Sequence, residues 1–490
     1  MNMIDILAGL PLDRASTTPL FRQLYAQVRQ AILRGTLTPG MQLPPTRALC
    51  ALLAVSRQTV LNAWDQLSAE GFLSGTVGKG TFISSHLPIS APEAAPRGLM
   101  RPLSVRGQAH AGAMAYVGYH QGKLRAFRAS MPGLDLFPFA TWSRLEARRW
   151  RRPDHQLGYG DPAGYAPLRE LLCVYLRAAR GVNCTPEQIV ITSGSQQGLY
   201  LLSQLLLAPG DQVWVESPGY QGASAPLFAV GADVCTVPVD AQGMDVAYAT
   251  AHYPNAKMVL TTPSHQLPLG VTMSLQRRLE LLRWAAAAKA WIIEDDYDSE
   301  YRYTGPPLAS LQGLDGADCT IYVGTLSKVL FPGLRLGYIV APPALVEPLV
   351  RTKAALDRHN AIVPQMVLAD FMAGGHFGRH IKRTREAYGE RRLALLDGIA
   401  ARLDDELECG PSDCGLDLCV HFRRPLDQQQ VAQAALAAGV EVRPLSYYVN
   451  RMATPACAVR PGLVLGFSAI APAEIAHGLA VLAKVLRGAR

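Results

Sequence analysis

The sequence predicts a small helical domain closed by a β-hairpin, then a basic linker, then a large α/β domain with a largely parallel sheet. Three observations carry this. Apolar residues recur at helical spacing through the first 70 or so positions and then give way to two short extended runs around glycines. Residues 85–124 are rich in Ala, Pro, Gly and single arginines and keep neither period, as in a partly flexible linker. From residue 125 onward, short apolar runs alternate with helical patterns, the mark of an α/β fold. At 490 residues the chain is too long for one core. Its 49% hydrophobic and 18% charged residues fit a folded protein. No apolar run is long enough to cross a bilayer, and the start, MNMIDILAGLPLDR, lacks the basic and apolar regions of a secretory signal. Nine cysteines without CxxC or zinc spacing predict free thiols in a reducing cytoplasm and no metal site.

In the first domain, Leu20, Leu24, Val28 and Ile32 mark one helix between Pro19 and Gly35. A second helix is predicted over Thr46–Leu53, with Ala48, Leu49 and Leu52 inward. Ser56 reads as the cap of a third, Arg57–Ala69, with Val60, Leu61, Trp64 and Leu67 as its apolar stripe. The tight turn at Ala54–Val55 makes the last two a helix-turn-helix. Arg57, Gln58 and Thr59 at the exposed start of the third helix suit base edges and phosphates in a major groove. Phe72–Leu73 and Thr81–Ile83 then flank TVGKG, a wing whose glycines and Lys79 can approach the DNA backbone. The strings LPPTR (43–47), VSRQTV (55–60), EGFL (70–73) and GKGTF (78–82) resemble the GntR-type winged helix-turn-helix family. That resemblance implies DNA contacts from Arg47, Arg57, Thr59 and Gly80. The charge agrees: seven Lys/Arg face four Asp/Glu in residues 1–85, and eleven face four in residues 86–160, so the whole +8 excess lies in the first third. In the linker, Arg97, Arg101, Arg106 and Lys123 add attraction to phosphate, or serve as a solubilising tether.

In the large domain, strands are predicted at Ile189–Thr192, Gln212–Glu216, Lys257–Thr261, Trp291–Glu294 and Ile321–Val323, with helices between them such as Gly198–Leu207 and Leu275–Ala287. Ligands sit at strand C-terminal ends in such sheets, and five polar clusters fall there. TSGSQQG (192–198) leads into a helix N-terminus that offers backbone N–H groups to a phosphate. ESPGY (216–220) presents Tyr220, able to stack on a flat ring. TPSHQ (262–266) presents His265. IIEDDYDSE (292–300) puts five acids into seven positions, and an ionised Asp facing a pyridine nitrogen makes that ring an electron sink. Finally, GTLSKVLFPGLRLGY (324–338) holds one lysine between two strands, with hydroxyls beside it and Arg335 beyond. A lysine in a partly dry pocket loses its proton readily and forms Schiff bases. Each cluster alone is an ordinary loop; together they describe a pyridoxal phosphate site.

With these strings the large domain resembles the fold-type I aminotransferases, and with the winged helix in front the chain resembles the MocR-type regulators. The resemblance implies that Lys328 forms the internal aldimine, Asp295 pairs with the pyridine nitrogen, Tyr297 bonds the phenolic oxygen and Tyr220 stacks on the ring. His265 belongs to the same cofactor set, and Ser195, Gln196, Ser327 and Arg335 hold the phosphate. Tyr159 reaches the phosphate of a neighbouring subunit in a head-to-tail homodimer. It further implies a winged helix over 1–84, a linker over 85–124 and an effector domain over 125–490, with a small α+β subdomain from about 350. One departure stands out. Where aminotransferases read L-R-L-G-[FY] and clamp the substrate carboxylate, this chain reads LVLGF, with Val464; and Ser224 replaces an arginine often found after the PGY turn. Arg443 and Arg460 are the cations near enough in sequence to substitute. The leading expectation is therefore a cytoplasmic transcriptional regulator that binds a DNA operator with repeated half-sites and senses a small amine, an amino-acid-like effector or pyridoxal phosphate itself. A working aminotransferase carrying a DNA-binding module is the alternative.

Overall fold

In the computed structural model, residues 3–76, 80–87, 102–112, 124–151, 157–305, 308–450 and 459–489 are described. The chain separates into two compact units, Met1–Pro102 and Leu103–Arg490.

The first unit holds helices α1 (Met3–Ala8), α2 (Leu20–Leu33), α3 (Thr46–Leu53) and α4 (Arg57–Ala69), and strands β1 (Leu73–Thr76) and β2 (Gly80–Ile83). Leu24, Val28 and Ile32 of α2 meet Val60, Trp64 and Leu67 of α4 in one core. Helix α3 corrects the expected inward set. Leu49 and Leu53 are buried, whereas Ala48 and Leu52 are exposed; positions four apart share a face and the core lies on that one. Ala54, left-handed at φ 49°, turns the chain between α3 and α4. The two strands pair antiparallel, Leu73 opposite Ile83 and Thr76 opposite Gly80.

The second unit opens with α5 (Val105–Gly112), which packs against a later helix although the sequence shows no period there. Its signal is the hydroxyl of Ser104, which accepts from the Gly107 N–H at 3.0 Å as a helix cap. Arg106 lies on α5; Arg97, Arg101 and Lys123 fall outside the described residues. The unit continues with α6 (Phe139–Arg151), α7 (Ala166–Arg180), β3 (Ile189–Thr192), α8 (Ser195–Leu206), β4 (Gln212–Ser217), α9 (Gln221–Val230), β5 (Asp233–Asp240), β6 (Gly243–Met244), α10 (Val246–His252), β7 (Met258–Thr261), α11 (Leu275–Ala288), β8 (Trp291–Asp296), α12 (Leu311–Leu314), β9 (Thr320–Thr325), β10 (Gly337–Val340) and α13 (Pro343–Asp357). Helix α9 is the partner of α5.

Strands β3 to β10 form one eight-stranded sheet in the order β3-β10-β9-β8-β7-β4-β5-β6. Pairs β9–β8, β8–β7, β7–β4 and β4–β5 are parallel; β10 runs antiparallel between β3 and β9. The strands are buried on both faces, as helices on either side require. Beyond them lie α14 (Ile362–Ala373), α15 (His376–Arg402), β11 (Leu407–Cys409), β12 (Asp417–Phe422), α16 (Gln428–Ala437), β13 (Arg443–Pro444), β14 (Gly462–Gly466) and α17 (Pro472–Gly488). These include a second, antiparallel sheet, β11-β12-β14-β13, whose core Leu418, Val420, Leu463 and Leu465 share with Leu395 of α15 and Leu479 of α17. Among the described residues no helix is long and apolar enough to cross a membrane.

Candidate functional site

The parallel strands end together, and their C-terminal ends carry the polar clusters. Lys328 follows β9. Its Nζ donates to the carbonyl of Ser130 at 2.6 Å, and Ser130 (φ 63°) in turn donates from N and Oγ to Asp417 at 2.8 and 3.1 Å. Burial pushes the Lys328 amine below the ordinary lysine range; Asp417 and Asp298 pull it back, and Arg443 pushes it further down.

Four of the five acids in and just after β8 have structural partners. Glu294 accepts the backbone N–H groups of Leu311 and Gln312, both at 2.8 Å. Asp296 holds Arg180 at 2.7 Å and the Tyr322 hydroxyl at 2.5 Å. Asp298 holds His265 Nδ1 at 3.0 Å, and Glu300 accepts from the Tyr175 hydroxyl at 2.8 Å. Asp295 differs: it is buried and its Oδ1 has no hydrogen-bond partner. Burial first, then the charges of Asp296, Glu216 and Asp298, push its carboxyl up to about 7. A buried carboxylate oxygen without a donor costs free energy unless a ligand supplies one.

The Tyr297 hydroxyl lies 2.9 Å from His265 Nδ1, and the two rings stack at 5.8 Å. Burial pulls the His265 imidazole down, but the charge and hydrogen bond of Asp298 together with the charge of Asp417 leave the shift upward. Tyr220 directly precedes α9 and donates to Gln196 Oε1 at 3.2 Å, while Gln196 Nε2 donates to the Gly222 carbonyl at 2.7 Å. Any side chain at Gly222 would strike the Tyr220 ring, so glycine lets the ring lie where it does. At the start of α8, Gly194 (φ 83°) leaves room for the Arg335 guanidinium, which a Cβ there would meet at 3.2 Å. Arg335 donates to the Ser193 carbonyl at 3.1 Å, Ser195 is the first residue of α8, and Ser327 Oγ is buried without a partner. The structure thus gathers Lys328, Asp295, Tyr297, His265, Tyr220, Gln196, Ser195, Ser327 and Arg335 around the strand ends. Tyr159 does not join them: it is 92% exposed, against His359 at 6.1 Å and Arg358 at 5.8 Å.

Asp417 escaped sequence reasoning. Its signal was a lone acid in an otherwise apolar strand, GLDLCV. Val464 is 0% exposed, among Ala129, Cys419, Leu445 and Tyr448. Of its two suggested substitutes, Arg460 is bound to Glu408 at 2.6 Å in a half-exposed ion pair. Arg443 instead stacks on the Tyr447 ring at 4.8 Å and acts electrostatically on Lys328. Ser224 is buried and accepts from Asn450 at 2.9 Å.

In the first unit, Ser56 Oγ accepts from the Thr59 N–H at 3.1 Å and so caps α4. Arg57 and Gln58 are exposed beside it, Gln58 bonded to Asn62 at 2.7 Å, and Arg47 is exposed on α3. Gly80 is exposed with φ 99° at the start of β2; Lys79 falls outside the described residues.

Residues 145–457 match the family "aminotransferase class I and II", and residues 20–83 match "bacterial regulatory proteins, gntR family". The chain is 37% identical over 479 residues to the probable rhizopine catabolism regulatory protein MocR of Rhizobium meliloti, covering 96% of this chain and 94% of that one. The chain belongs to the MocR-type regulators of the GntR family. It is also 34% identical over 484 residues to the transcriptional regulator TauR of Rhodobacter capsulatus, covering 96% of each. Its fold is similar to that of LysN, the α-aminoadipate aminotransferase of Thermus thermophilus, complexed with N-(5'-phosphopyridoxyl)-L-leucine. That likeness has a TM-score of 0.68 and 28% identity, and covers 74% of this chain and 92% of that one. This MocR-type chain is therefore a transcriptional regulator in which a DNA-binding winged helix is joined to an aminotransferase-like domain of the pyridoxal phosphate-dependent class.

Proposed function

We propose that this regulator carries pyridoxal phosphate on Lys328 and uses it to sense a small amine, or the cofactor itself, changing how the winged helix binds its operator. The observation that carries the reading is Asp295: a buried carboxylate with an unpartnered oxygen, raised by burial and drawn back toward its ionised form by the charge of Lys328. A pyridine N–H is the donor that such an oxygen lacks. When bound, the cofactor supplies a pyridinium ring bearing an aldehyde that reacts reversibly with primary amines.

The chain's own residues have these roles in the proposal. Lys328, with its proton affinity reduced by burial, is the amine that carries the cofactor. Asp295 keeps the ring nitrogen protonated. Tyr297, held by His265, donates to the ring oxygen, and Tyr220 covers a ring face. The N-terminus of α8, with Ser195, Gln196, Ser327 and Arg335, holds the phosphate. Tyr159, fully turned outward, serves the partner subunit of a head-to-tail homodimer. Arg47, Arg57, Gln58, Thr59, Lys79 and Gly80 meet the DNA, and two winged helices read repeated half-sites. Effector binding shifts a balance between conformations that differ in operator affinity.

The full-length protein, loaded with pyridoxal phosphate and reduced with borohydride, should carry a cofactor-sized mass increase on the Lys328 peptide. It should bind its own upstream region over random DNA, with an affinity that changes on adding the right amine. Absence of sequence-specific binding would sink the regulatory reading. Sustained amino-group transfer to a keto acid, abolished by Lys328→Ala, would favour the catalytic alternative.

A further inference from the structure

Residues 126–133 run along the small sheet to the amine of Lys328 in an uncommon backbone conformation. Two non-glycine residues within four positions, Phe127 (φ 68°) and Ser130 (φ 63°), are left-handed, where a side chain is disfavoured. Such backbone persists only where its surroundings over-determine it, and it gathers at sites that clamp or switch. The surroundings here belong to the small sheet and its neighbours. The Glu441 N–H donates to the Ala126 carbonyl at 2.9 Å, and Arg128 pairs with Glu441 at 2.8 Å. The Gly466 N–H donates to the Phe127 carbonyl at 3.0 Å. Ser130 donates twice to Asp417 of β12. The Ser468 hydroxyl donates to the Met131 carbonyl at 2.6 Å, and the Gly133 N–H donates to the Tyr388 hydroxyl of α15 at 2.7 Å.

One contact leads to the large sheet instead. The Ser130 carbonyl accepts from Lys328 Nζ at 2.6 Å, and Lys328 follows β9. Ser130 thus meets Asp417 with its N–H and hydroxyl, and Lys328 with its carbonyl. Asp417 is also the first of the charges that raise the proton affinity of Lys328. An ammonium suits this contact because it has three N–H donors on a rotating stem. A lysine nitrogen bonded to the cofactor's aldehyde carbon keeps at most one hydrogen and no longer rotates. When another amine takes its place on that carbon, one C–N bond forms as the other breaks. The incoming ammonium gives up two protons, and the released lysine gains two and is an ammonium again.

We propose that Ser130 and Asp417 position the Lys328 nitrogen, and that residues 126–133 are a strap which this nitrogen grips when free and releases when it carries the cofactor. This rests on the reading of Lys328 as the cofactor-bearing residue. Asp417 acts through Ser130, by holding the left-handed backbone that presents the carbonyl. Freeing the lysine ties the end of β9 to the small sheet, so the strap registers whether the amine is occupied.

The test is deuterium exchange at the Ser130 and Gly133 amides of full-length protein loaded with pyridoxal phosphate, before and after O-methylhydroxylamine. That reagent captures the cofactor's aldehyde and frees Lys328, which the absorbance reports. Exchange at both amides should slow by on the order of 10-fold, as a hydrogen bond from a charged donor is gained. In Lys328→Ala loaded the same way, the reagent should leave exchange unchanged. Asp417→Ala should keep the cofactor, exchange fast at Ser130 in both forms and lose the response. Ser130→Gly should keep the response, because glycine adopts the left-handed backbone freely and retains the carbonyl. If Asp417→Ala fails to fold, Asp417→Asn should still weaken the response, since a neutral oxygen accepts more weakly than a carboxylate. Unchanged exchange in wild type after the absorbance has reported capture overturns the strap alone. Equal slowing in Lys328→Ala overturns it too, because the captured cofactor and not the lysine would then hold the strap. Loaded protein with no cofactor bonded to Lys328 overturns both the strap and the reading beneath it.

Discussion

Asp295 lowers the stability of the cofactor-free fold, a cost that the proposed cofactor would offset. Its carboxyl is raised from 3.8 to about 7 by burial and by neighbouring acids. A group that binds protons more tightly when folded withdraws stability as pH climbs from its unfolded to its folded value. Cofactor-free protein should therefore lose stability through Asp295 between about pH 4 and pH 7 and not regain it above. Asp295→Asn removes that penalty. Denaturant melts of the cofactor-free protein, followed through the second unit, should show the variant level with wild type near pH 4. At pH 8 it should be more stable, with ~4 kcal/mol as the ceiling for a shift of about three units. Its affinity for pyridoxal phosphate should fall at the same time. A variant less stable than wild type at pH 8 would contradict this account of the orphaned oxygen. Asp295 was legible because its string, EDDYDSE, is local, yet the sequence could not show that the other four acids are structural. Asp417 and Arg443 were harder to assign because only the pairing of β12, β14 and β13 sets them in relation to Val464.

At the scale of elements, α4 divides two duties between neighbouring residues. Ser56 caps the helix and Arg57 is exposed beside it. Ser56→Ala should cost about 1 kcal/mol, seen as roughly fivefold faster hydrogen exchange across α4 in the full chain. Arg57→Ala should leave exchange unchanged and weaken operator binding. If Arg57 meets a phosphate, the slope of log affinity against log salt should fall by about one; if it meets a base, discrimination between sequences should fall instead. Unchanged affinity, slope and discrimination would remove Arg57 from the interface. Such helices are readable because cap and stripe lie within one window of sequence. The five strands predicted in the large sheet were readable as apolar runs bounded by turns. Strand β5, DVCTVPVD, mixes acids and a proline with its apolar residues, and β11 and β13 are three and two residues long, too short for any period. Only pairing makes them strands.

For the whole molecule, the proposed arrangement, with an effector site in one unit and a DNA site in the other, must obey linkage. If the effector changes operator affinity by some factor, the operator changes effector affinity by the same factor, since both legs close one thermodynamic cycle. Couplings of this kind run from about 5- to 150-fold. The two legs can be read independently: operator binding by fluorescence anisotropy with and without saturating effector, and effector binding by cofactor absorbance with and without saturating operator. Equal factors are expected. Lys328→Ala should keep operator binding near the effector-free wild-type value and bring the anisotropy factor to one, because nothing then fastens the effector's partner to the chain. An effector that shifts operator binding while the operator leaves the absorbance titration unmoved would mean that the regulatory ligand binds somewhere other than Lys328.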